Sequence, residues 1–244
     1  KILFNNADLH FLRQFRSALS NNDAEAMAAA RKVRDEELEI ILKADVTLSY
    51  NEIEHSVIMS HTEGAAKVVK CPWVVDLPAD VAPFEVRSGI SFLGGFNHYP
   101  NVDGIKWFAS TVMPLLESKQ DKSSTLIHLS IYGSAMGEDI KALASKTITP
   151  VGFVEDVADS YDRHRIFIAP LLSGAGIKGK VLSALAHGVP CILSPVAAEG
   201  IGLRHGHDCL IAQTPDQWAK AILQLYDDPK LWHQLSDNAR AYVG

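Results

Sequence analysis

Short apolar runs recur along the chain, and between them apolar positions return at helical spacing. The runs fall at Ile2 to Phe4, Asp45 to Tyr50, Lys67 to Lys70, Ile90 to Leu93, Thr125 to Tyr132, Ile148 to Val151, Ile166 to Ala169, Cys191 to Ser194 and Cys209 to Ala212. Each is of strand length, and several are continuously apolar, as strands covered on both faces are. The intervening stretches predict helices over Leu9 to Leu19, Ala24 to Lys43, Asn51 to about Ser60, Asn101 to Glu117, Met136 to Ser145, Val154 to Tyr161, Pro215 to Tyr226 and Leu231 to Val243. Strands alternating with helices at this interval predict an α/β protein with parallel sheets.

The stretch Arg165 to Pro190 carries the densest local signal. An apolar strand runs into Gly174, Gly176 and Gly179, and a helix follows with Val181, Leu182, Leu185 and Ala186 on its buried side. Gly188 and Pro190 end that helix. Lys178 and Lys180 stand where it begins. Exposed amides and cations at a helix start suit an anion such as phosphate.

Punctuation divides the chain into three parts. Residues 1–73 read as part of one α/β domain with too few strands to close its own sheet. Residues 74–89 hold two prolines and no period, and read as a linker. Residues 90–244 read as a second, complete α/β domain. The first residue is Lys and stands at the edge of an apolar run, so the expectation is a fragment whose first domain is incomplete.

Composition narrows the function. The 244 residues are 47% hydrophobic and 21% charged, an ordinary globular balance, and the formal net charge of -6 argues against a nucleic-acid surface. Cys71, Cys191 and Cys209 lack metal-ligand spacing and read as buried thiols of a reducing compartment. No apolar run is long enough to span a bilayer.

Several residues are candidates for chemistry. Gly174-Ala175-Gly176-Ile177-Lys178-Gly179 spells G-x-G-x-x-G, but late in its domain and with no acid ending the next strand, so a dinucleotide fingerprint is disfavoured. A P-loop is excluded, because no Gly-Lys-Ser/Thr stands at the required spacing. Lys180 shares a helix face with Ser183 and His187, and a lysine there can balance the charge of a departing diphosphate. His187 reads as a surface or capping residue. Gly94-Gly95 follows a strand and permits close approach of a ligand or a tight turn. Glu199 suits either a sugar hydroxyl or a helix cap. Asp8 and His10 follow the first strand, where Asp8 can N-cap the helix or the two can serve acid–base chemistry.

Taken in order, ADLHFLR at 7–13, FLGGFNHYPNVDGIKWF at 92–108 and the long stretch 151–201 resemble family-4-type (group 1) glycosyltransferases of the GT-B fold. The resemblance covers nearly the whole chain. It implies two Rossmann-like domains around a cleft, with a nucleotide-diphosphate sugar as donor substrate in the second and a sugar or glycan acceptor mostly in the first. It implies transfer with retention, no metal and no other cofactor, in surface polysaccharide or glycan assembly. That setting implies a cytoplasmic location at the inner face of a membrane, with peripheral association. By position, Gly94 and Gly95 match the turn that approaches the donor phosphates. Lys180 and Lys178 match a basic stretch near the diphosphate, with Gly174, Gly176 and Gly179 as its loop. Asp8, His10 and Lys180 are the catalytic candidates, and Ser183 and Glu199 complete the donor set. Many relatives carry two glutamates where this chain has Ala175 and Ser183. A serine offers one hydroxyl, not a bidentate carboxylate. The alternative reading is a non-catalytic nucleotide-sugar-binding protein of the same fold. A sugar-nucleotide epimerase is a weaker third.

Overall fold

The structure, a computed structural model, describes residues 1–120 and 125–244. It separates into two compact units. One comprises Lys1–Val74 with the segments Ser173–Lys178 and Ala198–Gly202; the other comprises Val75–Leu172, Gly179–Ala197 and Leu203–Gly244.

The first unit holds a parallel sheet ordered β1 (Leu3–Asn6), β2 (Val46–Ser49), β3 (Val68–Lys70). Two helices, His10–Ser20 and Ala24–Lys43, connect β1 to β2, and Glu52–His61 connects β2 to β3. Leu9, Phe11, Ile41, Ile58 and Ala66 form the core that these helices share with the sheet. The capping chemistry is partly remote. Asn51 accepts from the Glu54 amide at 2.8 Å and starts its helix as the sequence predicts. Asp8 does not cap the helix His10–Ser20. Leu9 holds the N-cap position without a side-chain bond, and Glu37 of the next helix takes the amides of His10 and Phe11 at 3.0 and 2.7 Å. A carboxylate at a helix start satisfies orphan donors whichever element supplies it.

The second unit holds six parallel strands, ordered β6 (Ile148–Gly152), β5 (Leu129–Tyr132), β4 (Ile90–Leu93), β7 (Ile166–Ala169), β8 (Cys191–Leu193), β9 (Leu210–Ile211). Counted from β4, this is the doubly wound order 3-2-1-4-5-6. The order reverses between β4 and β7, so the chain leaves those adjacent strands toward opposite faces and opens a crevice beyond their carboxyl ends. Phe92, Ile105, Phe108, Ile131, Ile168 and Trp218 are among the side chains that fill the core.

The helix predicted over 101–117 starts earlier, at Tyr99, and runs as Tyr99–Trp107, a π turn at Phe108–Val112 and Met113–Lys119. Pro114 has no amide to donate back to the preceding turn, which favours the wider winding there. The helices predicted over 136–145 and 154–161 are single turns, Glu138–Lys141 and Asp159–Asp162. The strand predicted from Thr125 forms only over its last four residues. A short helix, Pro195–Ala198, was not signalled by periodicity.

Within the stretch 74–89, Arg87 is wholly buried and donates to the carbonyls of Ala82, Tyr161, His164 and His187. Burial lowers its pKa to about 10. His187 is mostly buried, with Nδ1 2.9 Å from Asp162 Oδ1 and its ring on Tyr161, so it is not a surface residue. Cys191 and Cys209 are buried free thiols, while Cys71 is partly exposed. Among the described residues no helix is long and apolar enough to cross a membrane.

Candidate functional site

In the first unit, the glycine segment is held by charged side chains. Glu54, 1% exposed, accepts the Gly176 amide at 2.7 Å and the Leu9 amide at 3.2 Å through one carboxylate oxygen. Burial raises its pKa, against the pull of those two amides. Arg16 pairs with both oxygens of Glu199, at 2.7 and 3.0 Å, and donates to the Gly174 carbonyl at 2.9 Å. Glu199 is therefore part of an ion pair, neither a helix cap nor an unengaged carboxylate. Gly176 has φ +71°, and a Cβ there would stand 2.8 Å from the Cβ of Asp8, so glycine is required.

Lys178 belongs to this same cluster. It is 8% exposed, and its ammonium donates to the carbonyls of Ala175 and Gly176 at 3.2 and 2.6 Å. Burial lowers its pKa to about 8, opposed by the nearby carboxylates of Glu199 and Glu54. Lys178 thus braces its own loop. In this geometry the Lys178 ammonium and the Gly176 amide are both engaged within the unit. Asp8 pairs with Arg13 and lies 3.4 Å from His10 Nε2, with His10 half exposed. The two residues meet as an Asp–His pair, although the sequence offered capping as the alternative.

In the second unit, Lys180 stands at the start of the helix Gly179–Ala186, which follows β7. Its Nζ is 2.5 Å from Asn101 Oδ1 and 4.4 Å from the ring centre of Phe92 on β4. Asn101 lies on the helix that follows β4, and its Nδ2 donates to the Gly95 carbonyl at 2.8 Å. The Lys180–Asn101 bond therefore joins the two helices that leave the sheet on either side of the switch point. Gly94 has no room for a Cβ, which would stand 2.8 Å from Asn101, whereas a Cβ on Gly95 would meet only ordinary contacts. Ser183 is half-buried on the same helix, and the Tyr161 hydroxyl donates to the Lys180 carbonyl at 3.2 Å.

An apolar pocket of about 200 Å³ opens elsewhere in this unit, lined by residues that include Trp107, Leu172, Pro195 and Trp218. No charged side chain lines it, so it does not suit an anion. Among the described residues no group of three or more His, Cys, Asp or Glu side chains is placed to hold a metal ion.

Sequence reasoning named Gly94, Gly95, Gly174, Gly176, Gly179, Lys178, Lys180, Ser183, Glu199, Asp8 and His10. Of these, Gly94, Gly95 and Lys180 come together around Asn101, while Gly174, Gly176, Lys178, Glu199 and Asp8 come together in the first unit. It missed Asn101, Glu54 and Arg16. The helix-start position of Asn101 was visible, but its reach back to Gly95 was not. Glu54 sits three residues after a clear N-cap, yet nothing local distinguishes it from a solvated glutamate.

The strand order 3-2-1-4-5-6 defines a doubly wound, Rossmann-like class of α/β unit. The GT-B fold of glycosyltransferases is built from such units, and the fold here is of that type. Residues 87–228, more than half of the chain, match the family described as "Glycosyl transferases group 1", and the chain belongs to that family. A Klebsiella pneumoniae protein described as an uncharacterized 44.6 kDa protein in the cps region is 26% identical over 163 residues, covering 63% of this chain and 41% of that protein. Among solved structures, sucrose-phosphate synthase from Thermosynechococcus elongatus superposes with a TM-score of 0.77 at 18% identity, over 99% of this chain and 62% of that one. Anabaena Alr3699/HepE, crystallised with UDP and glucose, gives 0.70 at 9%, over 99% and 66%. WaaG, described as a glycosyltransferase involved in lipopolysaccharide biosynthesis, gives 0.64 at 12%, over 99% and 70%. The chain spans less than half the length of its curated relative.

Proposed function

We propose that the chain is the donor-handling part of an enzyme that moves a sugar from a nucleoside-diphosphate sugar to a hydroxyl acceptor. The observation that carries this reading is Lys180, its ammonium held at the β4–β7 switch point beside Gly94-Gly95. Anionic ligands of doubly wound sheets bind beyond the strand ends at that point. Asn101 and Phe92, two of the groups around the Lys180 ammonium, are uncharged. Family membership supports the reading, as does the UDP and glucose held by the Anabaena structure.

In the reaction, the acceptor oxygen forms a bond to the anomeric carbon on the same face from which the diphosphate departs, as the bond from that carbon to the diphosphate breaks. The leaving oxygens gain negative charge, and Lys180 stabilises them more strongly in the transition state than in the ground state. Configuration is retained, and the lysine supplies the positive charge at the diphosphate without a metal ion. Asp8 orients His10, whose imidazole faces solvent and can take the proton of the acceptor hydroxyl. The setting is assembly of a surface polysaccharide or other glycan at the cytoplasmic face of a membrane, which the cps-region relative favours.

A second reading, nucleotide-sugar binding without transfer, is favoured by one observation. Ala175 offers no polar side chain, and Ser183 offers a single hydroxyl in place of a carboxylate. Incubation of the full-length protein with a panel of nucleoside-diphosphate sugars and glycan acceptors separates the two. Release of the nucleoside diphosphate that depends on Lys180 supports transfer or donor hydrolysis. Saturable binding with no turnover against any acceptor supports the second reading, and no binding at all removes both.

A further inference from the structure

We propose that Asn101 is a positioning residue that holds the Lys180 ammonium at the switch point without neutralising it. The proposal rests on the donor-diphosphate reading of Lys180.

The geometry leaves the amide one orientation. An ammonium only donates and a backbone carbonyl only accepts. Asn101 Oδ1 must therefore face Lys180, at 2.5 Å, and Nδ2 must face the Gly95 carbonyl, at 2.8 Å. The side chain is a two-ended strut between the turn after β4 and the helix after β7. Gly94 passes beneath it with no space for a Cβ, so the backbone of the turn and the strut are packed as one piece. Phe92 supports the ammonium from the β4 side.

An aspartate of the same shape would fail twice. It would put a negative charge against Lys180, and it would set a carboxylate oxygen against the Gly95 carbonyl with no proton between them. An asparagine keeps the lysine in place and adds no negative charge of its own. A lysine has several rotatable bonds to fix, so a neutral strut also lowers the ordering cost of binding.

The test is a binding study on the full-length protein. UDP, GDP, ADP and dTDP are titrated, and the tightest is carried into Lys180→Ala, Asn101→Ala, Asn101→Asp and the Lys180→Ala/Asn101→Ala double variant, with thermal unfolding to confirm folding. Asn101→Asp is the near-isosteric variant should Asn101→Ala fold poorly. Asn101→Asp is expected to weaken the nucleoside diphosphate about tenfold and to flatten the salt dependence of Kd as Lys180→Ala does. Asn101→Ala is expected to weaken it about threefold in the presence of Lys180 and not at all in its absence, because contacting groups are coupled. If the Asn101 variants bind like the parent, or their effects add to that of Lys180→Ala with the salt slope unchanged, Asn101 is structural only and the proposal falls. If Lys180→Ala itself changes nothing, or no diphosphate binds, the diphosphate reading falls and takes this proposal with it.

Discussion

Lys178 and Lys180 stand two residues apart and meet opposite surroundings. Lys178 is buried among Glu54, Glu199, Asp8 and Arg16, and its protons go to carbonyls of its own loop. Lys180 is partly exposed, and an amide and a ring hold its ammonium. A buried ammonium survives only if carboxylates and carbonyls compensate its lost hydration, and that compensation spends the charge inside the protein. Neither Asn101 nor Phe92 brings a negative charge to Lys180. From sequence the two lysines looked like one basic stretch; their partners differ, and the roles proposed for them are a brace and a ligand contact.

The largest expected consequence is on turnover. Lys180→Ala should lower release of the nucleoside diphosphate from the donor by about 100-fold or more, the scale of losing one group aimed at developing negative charge. Stability should change by only about 1 kcal/mol, the net worth of the hydrogen bond to Asn101. A steady-state assay beside a thermal melt reads both. Equal losses of fold and activity would return Lys180 to a structural role.

Lys178 should show itself in stability against pH. Its folded pKa of about 8 lies below the 10.5 of an ordinary lysine, so between those limits the unfolded chain binds more protons than the folded one. Unfolding free energy therefore rises with pH across that window, by about 3 kcal/mol from this group, and the charged lysine is a net burden below pH 8. Denaturant titrations from pH 7 to pH 11 should show this rise in the parent and lose it in Lys178→Met. An unchanged pH profile in the variant would mean that Lys178 is solvated.

Glu54 tests the compensation from the other side. Glu54→Ala leaves the Leu9 and Gly176 amides without their acceptor and should cost about 2 kcal/mol. Glu54→Gln keeps an acceptor oxygen and should cost about half as much. Chemical denaturation of the two variants settles the order, and a reversed order would remove Glu54 as the support of Gly176.

The smallest effect expected is steric. Gly94→Ala places a Cβ against Asn101 and should weaken nucleoside-diphosphate binding by about fivefold, or roughly 1 kcal/mol, while Gly95→Ala should change it little. Titration calorimetry on both variants would reverse this assignment if Gly95 proved the sensitive position.

Much of the fold was legible because its signals are local. The strands β4, β7 and β8 are continuously apolar, and caps such as Asn51 act within a few residues. Gly94 and Lys180 were legible for the same reason, as a strand exit and a helix start. What stayed hidden was long-range pairing. Glu37 caps a helix whose start lies 26 residues away at Phe11, and Arg16 reaches Glu199 across 183 positions. Asp8 read as a cap because the local pattern favours it, yet Arg13 and His10 claim its carboxylate. The short helices at 138–141 and 159–162 were overextended for a related reason: alanine-rich and mixed stretches have helical propensity, but packing ends them after one turn.

One titration separates the two lysines most directly: the preferred nucleoside diphosphate measured against Lys180→Ala and Lys178→Met of the full-length protein at pH 7, under one salt condition. A neutralised Lys180 should weaken binding at least tenfold, and a neutralised Lys178 less than threefold. Equal losses, or a larger loss at Lys178, would show that the buried lysine reaches the ligand and that the division between brace and contact is wrong.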